Sequence, residues 1–340
     1  MSLIDHIPET DSPKAPVGPG KKHRHPRWRR ALRKAGIVVA SLLVLLVISS
    51  LANVAITTAE KADLVPYGQK VSIKAGDINV YRNGGSGPTM VLLSGYGTPA
   101  PAVDFAPLIR TLDNFDVIVI EGFGYGYSDL AVTNRSVEKI TGEIHEVLDR
   151  LQVNSPVILA GHSVGGLYTH YYANAYPGEV SAIIGIDPMT AQASSLEVGQ
   201  PSTIESTLAS LGLVRIATTI APSIIQPPGT AYTTHEREQT AALTNWNYGN
   251  ESVSDEWARI GANSTKASAQ PIPADIPVLQ FLSSETIESE PSWLRDHQAE
   301  LAGVATHELE VLDGAHYLHW TQSPAMAKSI SAFIAAHVTH

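Results

Sequence analysis

The stretch that decides the fold reads Pro156-Val157-Ile158-Leu159-Ala160-Gly161-His162-Ser163-Val164-Gly165-Gly166. Val157–Ala160 is a short apolar run of strand length, and the residues after Gly166 read as a helix to Tyr176. Between them sits Gly-X-Ser-X-Gly. A turn this tight needs small residues two places either side of the serine, and Gly161 and Gly165 supply them. Such a strand–turn–helix lifts the Ser163 hydroxyl above the strand ends, over the N-terminus of the following helix.

Working outward, the same rhythm repeats. Apolar strand-length runs occupy Thr89–Leu93, Asp116–Ile120, Pro156–Ala160, Ala182–Ile186, Val278–Leu282 and Glu308–Leu312. Helical spacing marks Phe105–Leu112, the series Val137, Ile140, Ile144, Val147, Leu148 and Leu151, then Ser292–Leu301 and Pro324–His337. Lys70–Lys74 and Ile78–Asn83 alternate apolar and polar around Ala75-Gly-Asp, which predicts an antiparallel hairpin. Buried strands alternating with helices predict a mostly parallel sheet covered on both faces, with its site at the carboxyl ends of the strands. Residues 189–275 are too long for a bare loop and hold helix-like pieces at Ile204–Ile220, His235–Trp246 and Ser254–Ala262, so they read as a helical cap.

The chain has 340 residues, a net charge of −10 and no cysteine, which excludes disulfides, Cys-ligated metals and a cysteine nucleophile. The charge is uneven. Residues 1–34 carry nine Lys/Arg against three acids, or +6, and the rest carries −16. Ala35–Ala59 then runs 25 positions without a charge, and Ile37–Leu51 is rich in Leu, Val and Ile. That length suits a membrane-spanning helix better than the shorter apolar core of a cleaved signal. Eight Lys/Arg between Lys21 and Lys34 put the N-terminus in the cytoplasm and the remainder outside. The expected organisation is a basic, disordered tail at 1–34, a signal-anchor at 35–59, a linker at 60–68 and one large domain at 69–338. A basic patch beside such a span meets anionic lipid, and with an acidic body it argues against nucleic acid.

A serine nucleophile needs a base and an orienting acid. Leu312-Asp-Gly-Ala-His316-Tyr-Leu-His319 follows the last strand, and His316 is the favoured base over His319. His162 reads as a packing and hydrogen-bonding residue, and Asp313 as a turn former. For the acid, Asp187 at the end of Ala182–Ile186 is favoured over Glu285, which follows Val278–Leu282; both satisfy the order Ser, acid, His. The oxyanion hole pairs the amide of Val164 with that of Tyr96 in Ser94-Gly95-Tyr96-Gly97. Trp246, Tyr248 and Trp257 read as packing within the cap.

Gly161-His-Ser-Val-Gly-Gly, the Ser94-Gly-Tyr-Gly turn, the glycine run Gly122–Ser128 and the terminal Gly-Ala-His together resemble the α/β-hydrolase superfamily over about 69–338. The resemblance implies an eight-stranded sheet, a serine attacking an acyl carbonyl, and no metal or cofactor. Three positions depart from the family pattern. Ser94-Gly95 stands where His-Gly is common, Glu121-Gly122 where Asp-Arg is usual, and Thr286 where the acid often sits after the seventh strand. The last departure favours Asp187. Similar epoxide hydrolases and dehalogenases carry Asp at the elbow, so Ser163 points to acyl transfer. The expected activity is hydrolysis of a small-molecule or lipid-like carboxylic ester. A non-catalytic surface binding module, and a cofactor-free perhydrolase or C–C hydrolase, are the alternatives.

Overall fold

The computed structural model describes residues 27–154, 156–190 and 203–338. Residues 1–26 of the expected basic, disordered tail at 1–34, among them Lys14, Lys21, Lys22 and Arg24, and residues 191–202 of the expected cap lie outside them, whereas residues 27–34 of that tail are helical. Two compact units divide the chain, Met1–Val47 and Ile48–His340.

Helix α1 runs from Arg27 to Asp63 without a break. It is long and apolar enough to span a membrane. Arg29, Arg30, Arg33 and Lys34 occupy its first turns. The helix outlasts the charge-free run, so residues 60–63 of the expected linker are helical. Glu60 holds that extra turn, because its carboxylate accepts from Arg215 at 2.5 and 2.9 Å and from Trp246 Nε1 at 2.8 Å.

In the larger unit eight strands form one sheet: β1 (Gln69–Ile73), β2 (Gly76–Arg82), β3 (Thr89–Leu93), β4 (Asp116–Glu121), β5 (Val157–His162), β6 (Val180–Ile186), β7 (Val278–Ser283) and β8 (His307–Leu312). Their spatial order is β1-β2-β4-β3-β5-β6-β7-β8. The β1–β2 and β2–β4 pairs are antiparallel, and every other pair is parallel. Chain order reverses at β3, which lies between β4 and β5, and in such sheets the crevice at the reversal is where ligands bind.

Strand periodicity divides the core in two. Val91, Leu93, Ile118, Ile120, Val157 and Leu159 point to one face, under α4 (Val137–Arg150) and α5 (Gly165–Ala175). Met90, Leu92, Val117, Val119, Ile158 and Ala160 point to the other, under α3 (Ala106–Thr111) and α13 (Ser323–His337). Alternate residues of one strand thus feed opposite layers, which is why these strands read as unbroken apolar runs.

The Phe105–Leu112 pattern corresponds to α3, capped by Phe105 and Leu112, and α2 (Pro101–Asp104) precedes it. One helix breaks where a single-helix reading had it continuous. Ile204–Ile220 resolves into α6 (Ile204–Ser210) and α7 (Leu213–Ile220), because Gly212 turns the chain with φ +73°. α8 (Thr234–Asn247) begins at a Thr233/Glu236 capping box, and α9 (Glu251–Ala267) at an Asn250 cap. Three short α-helices went unread, α2, α10 (Ser284–Ser289) and α12 (Leu318–Thr321); α11 (Trp293–Leu301) was expected. Helices α6 to α9 all lie between β6 and β7 in the chain.

Phe281 of β7 is fully buried in the second layer. Phe281→Ala is expected to cost about 3–5 kcal/mol of stability through lost burial and the cavity left behind. Denaturant titration of the detergent-solubilised chain measures it.

Candidate active site

The turn after β5 puts Ser163 at φ +52°, a left-handed conformation that a non-glycine residue adopts only under constraint. Two glycines permit it. A methyl group on Gly161 would meet the Gly165 carbonyl carbon at 2.5 Å, and one on Gly165 would meet the Leu93 carbonyl oxygen at 2.6 Å. The elbow is therefore pressed against the end of β3. On the β3 side, a methyl on Gly95 would lie 3.0 Å from Ser163 Cβ, so the Ser94–Gly97 turn lies against the serine.

The amides of Val164 and Tyr96 donate no hydrogen bond among the described residues. The turn that carries Tyr96 is held from below. Gly97 N–H donates to Tyr125 Oη at 3.2 Å, and Tyr125 donates to the buried Glu256 of α9 at 2.7 Å. Glu256 also accepts from Tyr168. Burial pushes the Glu256 carboxyl up from its ordinary range, against the opposing effect of these hydroxyls and of Arg135.

Asp187 follows β6 directly, at φ +40° and with no exposed surface. Its Oδ2 lies 2.6 Å from His316 Nδ1 and accepts from Thr286 Oγ1 at 2.6 Å. Its Oδ1 accepts from Ser283 N–H at 3.0 Å and Trp293 Nε1 at 2.9 Å. Burial alone would raise its pKa. The hydrogen bonds from His316, Ser283 and Thr286 outweigh burial and hold it below the ordinary carboxylate value. An ionised carboxylate only accepts, so the proton sits on His316 Nδ1 and the Nε2 lone pair is free.

Glu285 is exposed, and its own N–H donates to Gly314 O at 3.3 Å, so of the two candidate acids Asp187 is the one joined to His316. His319 is turned elsewhere. It is fully buried, with Nε2 2.7 Å from Asp104 Oδ2. His162 is buried with Nε2 3.2 Å from the His316 carbonyl oxygen, so it steadies the backbone of the histidine loop. Burial, then the neighbouring His319 and His316, keep His162 neutral well below its usual pKa. Asp313 is exposed in the turn, where its carbonyl accepts from Gln322.

Sequence reading missed Thr286 and Trp293 as partners of the acid. The signal for Thr286 was present, because it occupies the position where the family's alternative acid stands. Trp293 carried none. Glu121, read only as a departure from Asp-Arg, is a buried hub. It accepts from Tyr67 Oη at 2.6 Å, Asn79 Nδ2 at 2.9 Å and the amides of Ala102 and Tyr127 at 3.2 and 3.0 Å. These bonds fix the glycine run to the sheet.

A cavity of about 350 Å³ opens beside the serine and histidine loops. It reaches the site at Tyr96 and Tyr317, the chain neighbours of Gly95 and His316; Ser163 and His316 are not part of its wall. Its wall also includes Ile224, Ile225, Pro227 and Tyr248. Tyr248 thus faces a cavity, whereas Trp257 stacks on Tyr96 at 4.8 Å and Trp246 is engaged by Glu60. Among the described residues no group of three or more acidic or histidine side chains is arranged to hold a metal ion.

A family model describing the α/β hydrolase fold matches residues 88–321. The chain is 26% identical over 289 residues to the uncharacterized protein YbdG of Bacillus subtilis, covering 81% of this chain and 88% of that protein. It is 26% identical over 141 residues to Lipase 1 of Psychrobacter immobilis, covering 40% of this chain and 42% of the lipase. Among solved structures, epoxide hydrolase A of Mycobacterium thermoresistibile superimposes with a TM-score of 0.62 at 16% identity, over 81% of this chain and 100% of that one.

The depressed Asp187 pKa has a consequence for acid stability. Its contribution is complete above the unfolded value of about 3.8 and is lost as pH falls below that, through the folded value. Asp187→Asn is therefore expected to flatten the fall of unfolding free energy as pH drops below about 4, relative to wild type. Denaturant titrations across that range read the slope.

Proposed function

Because the chain belongs to the α/β-hydrolase family, we propose that it is a membrane-anchored serine hydrolase that cleaves a carboxylic ester with Ser163, His316 and Asp187. The observation that carries this reading is the 2.6 Å pairing of His316 with a buried, ionised Asp187, next to a serine held at φ +52°. A strained serine beside an oriented imidazole has no structural purpose of its own, and it is the arrangement an activated nucleophile needs. Asp at the elbow would have favoured epoxide opening, and this chain has Ser163 there.

In the proposed reaction His316 Nε2 takes the Ser163 proton as Oγ attacks the acyl carbonyl. The amides of Val164 and Tyr96 hold the oxyanion of the tetrahedral intermediate. Asp187 keeps the imidazole in the Nδ1–H tautomer and stabilises its cation. The intermediate collapses, His316 gives its proton to the leaving alkoxide, and an acyl-serine remains. Water, deprotonated by His316, then attacks the acyl carbon, and His316 returns that proton to Ser163 Oγ as the acid leaves. Ser163 and His316 share no hydrogen bond in the structure; such bonds commonly tighten only with substrate in place. The chemistry requires no cofactor.

The helices between β6 and β7 act as a cap over the cavity, and its apolar wall suits a hydrophobic or lipid-like acyl group. With α1 as the anchor and its basic end in the cytoplasm, the catalytic domain faces outward.

A fluorophosphonate probe applied to the full chain in detergent tests the nucleophile. It is expected to label wild type and to leave Ser163→Ala and His316→Ala unlabelled. A folded wild type that resists the probe overturns the reading. Ester hydrolysis is expected to fall by about 10⁴-fold in Ser163→Ala and in Asp187→Asn, and by less than about twofold in Glu285→Gln.

Thr286 acts through Asp187, so it is a positioning residue. Thr286→Val is expected to lower kcat roughly tenfold with KM unchanged, as the loss of one hydrogen bond to a charged group implies. Thr286→Ser is expected to restore most of that rate.

A further inference from the structure

The contacts made by the outer end of α1 carry an inference about where the cap lies. We propose that the α6–α7 hairpin is embedded in the outer leaflet of the lipid bilayer and opens the cavity toward it. The proposal rests on the reading of α1 as a membrane span.

An α-helix crosses a hydrocarbon core of about 30 Å in roughly 20 residues. Counted from Ala35, the first residue after the basic run, that crossing ends at Val54. Ser49, Ser50 and Asn53 belong to its last part, within about 8 Å of the outer end at 1.5 Å per residue. These are the residues that meet the hairpin. Ser49 Oγ donates to Leu211 O at 2.7 Å, Ser50 Oγ to Ser210 O at 2.9 Å, and Asn53 Nδ2 to Ala209 O at 3.1 Å. Ala209 O also accepts from Gly212 N–H at 2.9 Å, but Ser210 O and Leu211 O are carbonyls at the end of α6 and its turn, of the kind an α-helix leaves without intrahelical donors. In water they would be hydrated. In a leaflet they must be satisfied by protein, and α1 satisfies them.

The charge pattern agrees. Between Glu205 and Glu236, Arg215 is the sole Asp, Glu, Lys or Arg. Its guanidinium is taken up by Glu60, by Asn53 Oδ1 at 2.8 Å and by Thr57 Oγ1 at 2.9 Å. The same stretch also exposes large apolar side chains: Leu208 is 38% exposed, Ile216 47%, Ile220 79% and Ile224 69%, with short uncharged Ser and Thr between them. Ile216 and Ile220 are one turn apart on α7, so they share a face. Surface isoleucines this exposed, on the element tied to the span, match a lipid-facing patch. Ile224 also lines the cavity, so its mouth shares this surface. An ester dissolved in the leaflet would reach Ser163 without crossing water.

The chain has no cysteine, so single labels are simple to place. Ile220→Cys, Leu45→Cys and Asp113→Cys would each be made in the full chain, labelled with an environment-sensitive fluorophore and reconstituted into phosphatidylcholine vesicles containing doxyl-labelled lipid. Leu45 reports the span, and Asp113 is an exposed control just before β4, at the opposite end of the sheet. The expected result is strong quenching at positions 45 and 220 and none at 113. Quenching at 45 without 220 overturns this proposal alone and leaves the anchor intact. No quenching at 45 overturns the anchor and the proposal with it. A label at 220 that is blue-shifted but unquenched means a protein, such as a second copy, covers the patch, and also overturns it. None of these readings needs turnover, so they are independent of the serine hydrolase assignment. In a second measurement, Ile216→Lys with Ile220→Lys is expected to lower hydrolysis of a vesicle-embedded ester at least tenfold relative to a short soluble ester. An unchanged ratio overturns the entry route.

Discussion

One buried carboxylate organises the carboxyl-terminal part of the sheet. Asp187 accepts from the backbone at the end of β7, from α10, from α11 and from the histidine loop after β8. Four donors from four segments converge on two oxygens that have no access to water. Removing a carboxylate of this kind leaves several buried donors without partners, which costs more than any one of the bonds contributes. The same convergence makes the group useful. With its negative charge fully compensated by donors, it stays ionised, and it fixes which nitrogen of His316 carries the proton.

The second constraint is steric. The elbow folds so tightly on itself that no side chain fits at Gly161, it approaches the end of β3 so closely that none fits at Gly165, and Gly95 lies against Ser163 itself. Strain at Ser163 and Asp187 is held by backbone bonds. Ser163 N–H donates to Ile186 O at 3.2 Å, and Asp187 N–H to Phe281 O at 2.7 Å. Neighbouring strands thus supply the energy that keeps two left-handed residues in place.

Legibility in the sequence followed the range of the interaction. The sheet was readable because each of its central strands is buried on both faces and so is apolar throughout. Ser163 was readable because the turn demands glycines at fixed offsets, and His316 because it sits in a glycine loop at the end of the last strand. The choice between Asp187 and Glu285 was open, since both end a strand in the right order. In the structure it is Asp187 that pairs with His316, held by side-chain partners that no spacing rule encodes, Thr286 and Trp293, 99 and 106 positions away. The helices between β6 and β7 were the least legible. Gly212 breaks a pattern that is continuous in hydropathy, and the exposure of Ile216 and Ile220 contradicts what amphipathic spacing leads one to expect of a helix in water.

That contradiction is resolved by asking what solvent the helix has. An exposed apolar face costs free energy in water and none in hydrocarbon, so α7 has the right pattern for a boundary between protein and lipid. Arg215 fits the same logic. A cation near the edge of a bilayer needs a counter-charge and a full set of acceptors, and Glu60, Asn53 and Thr57 provide both on the turns of α1 that follow the apolar core. Trp246 adds its indole N–H to Glu60, which carries the link from α7 through α1 to α8. The extra helical turn at residues 60–63 is therefore more than an extension of the anchor. It places the carboxylate that fastens α7 and α8 to the C-terminal end of α1, alongside the bonds that Ser49, Ser50 and Asn53 make to the end of α6.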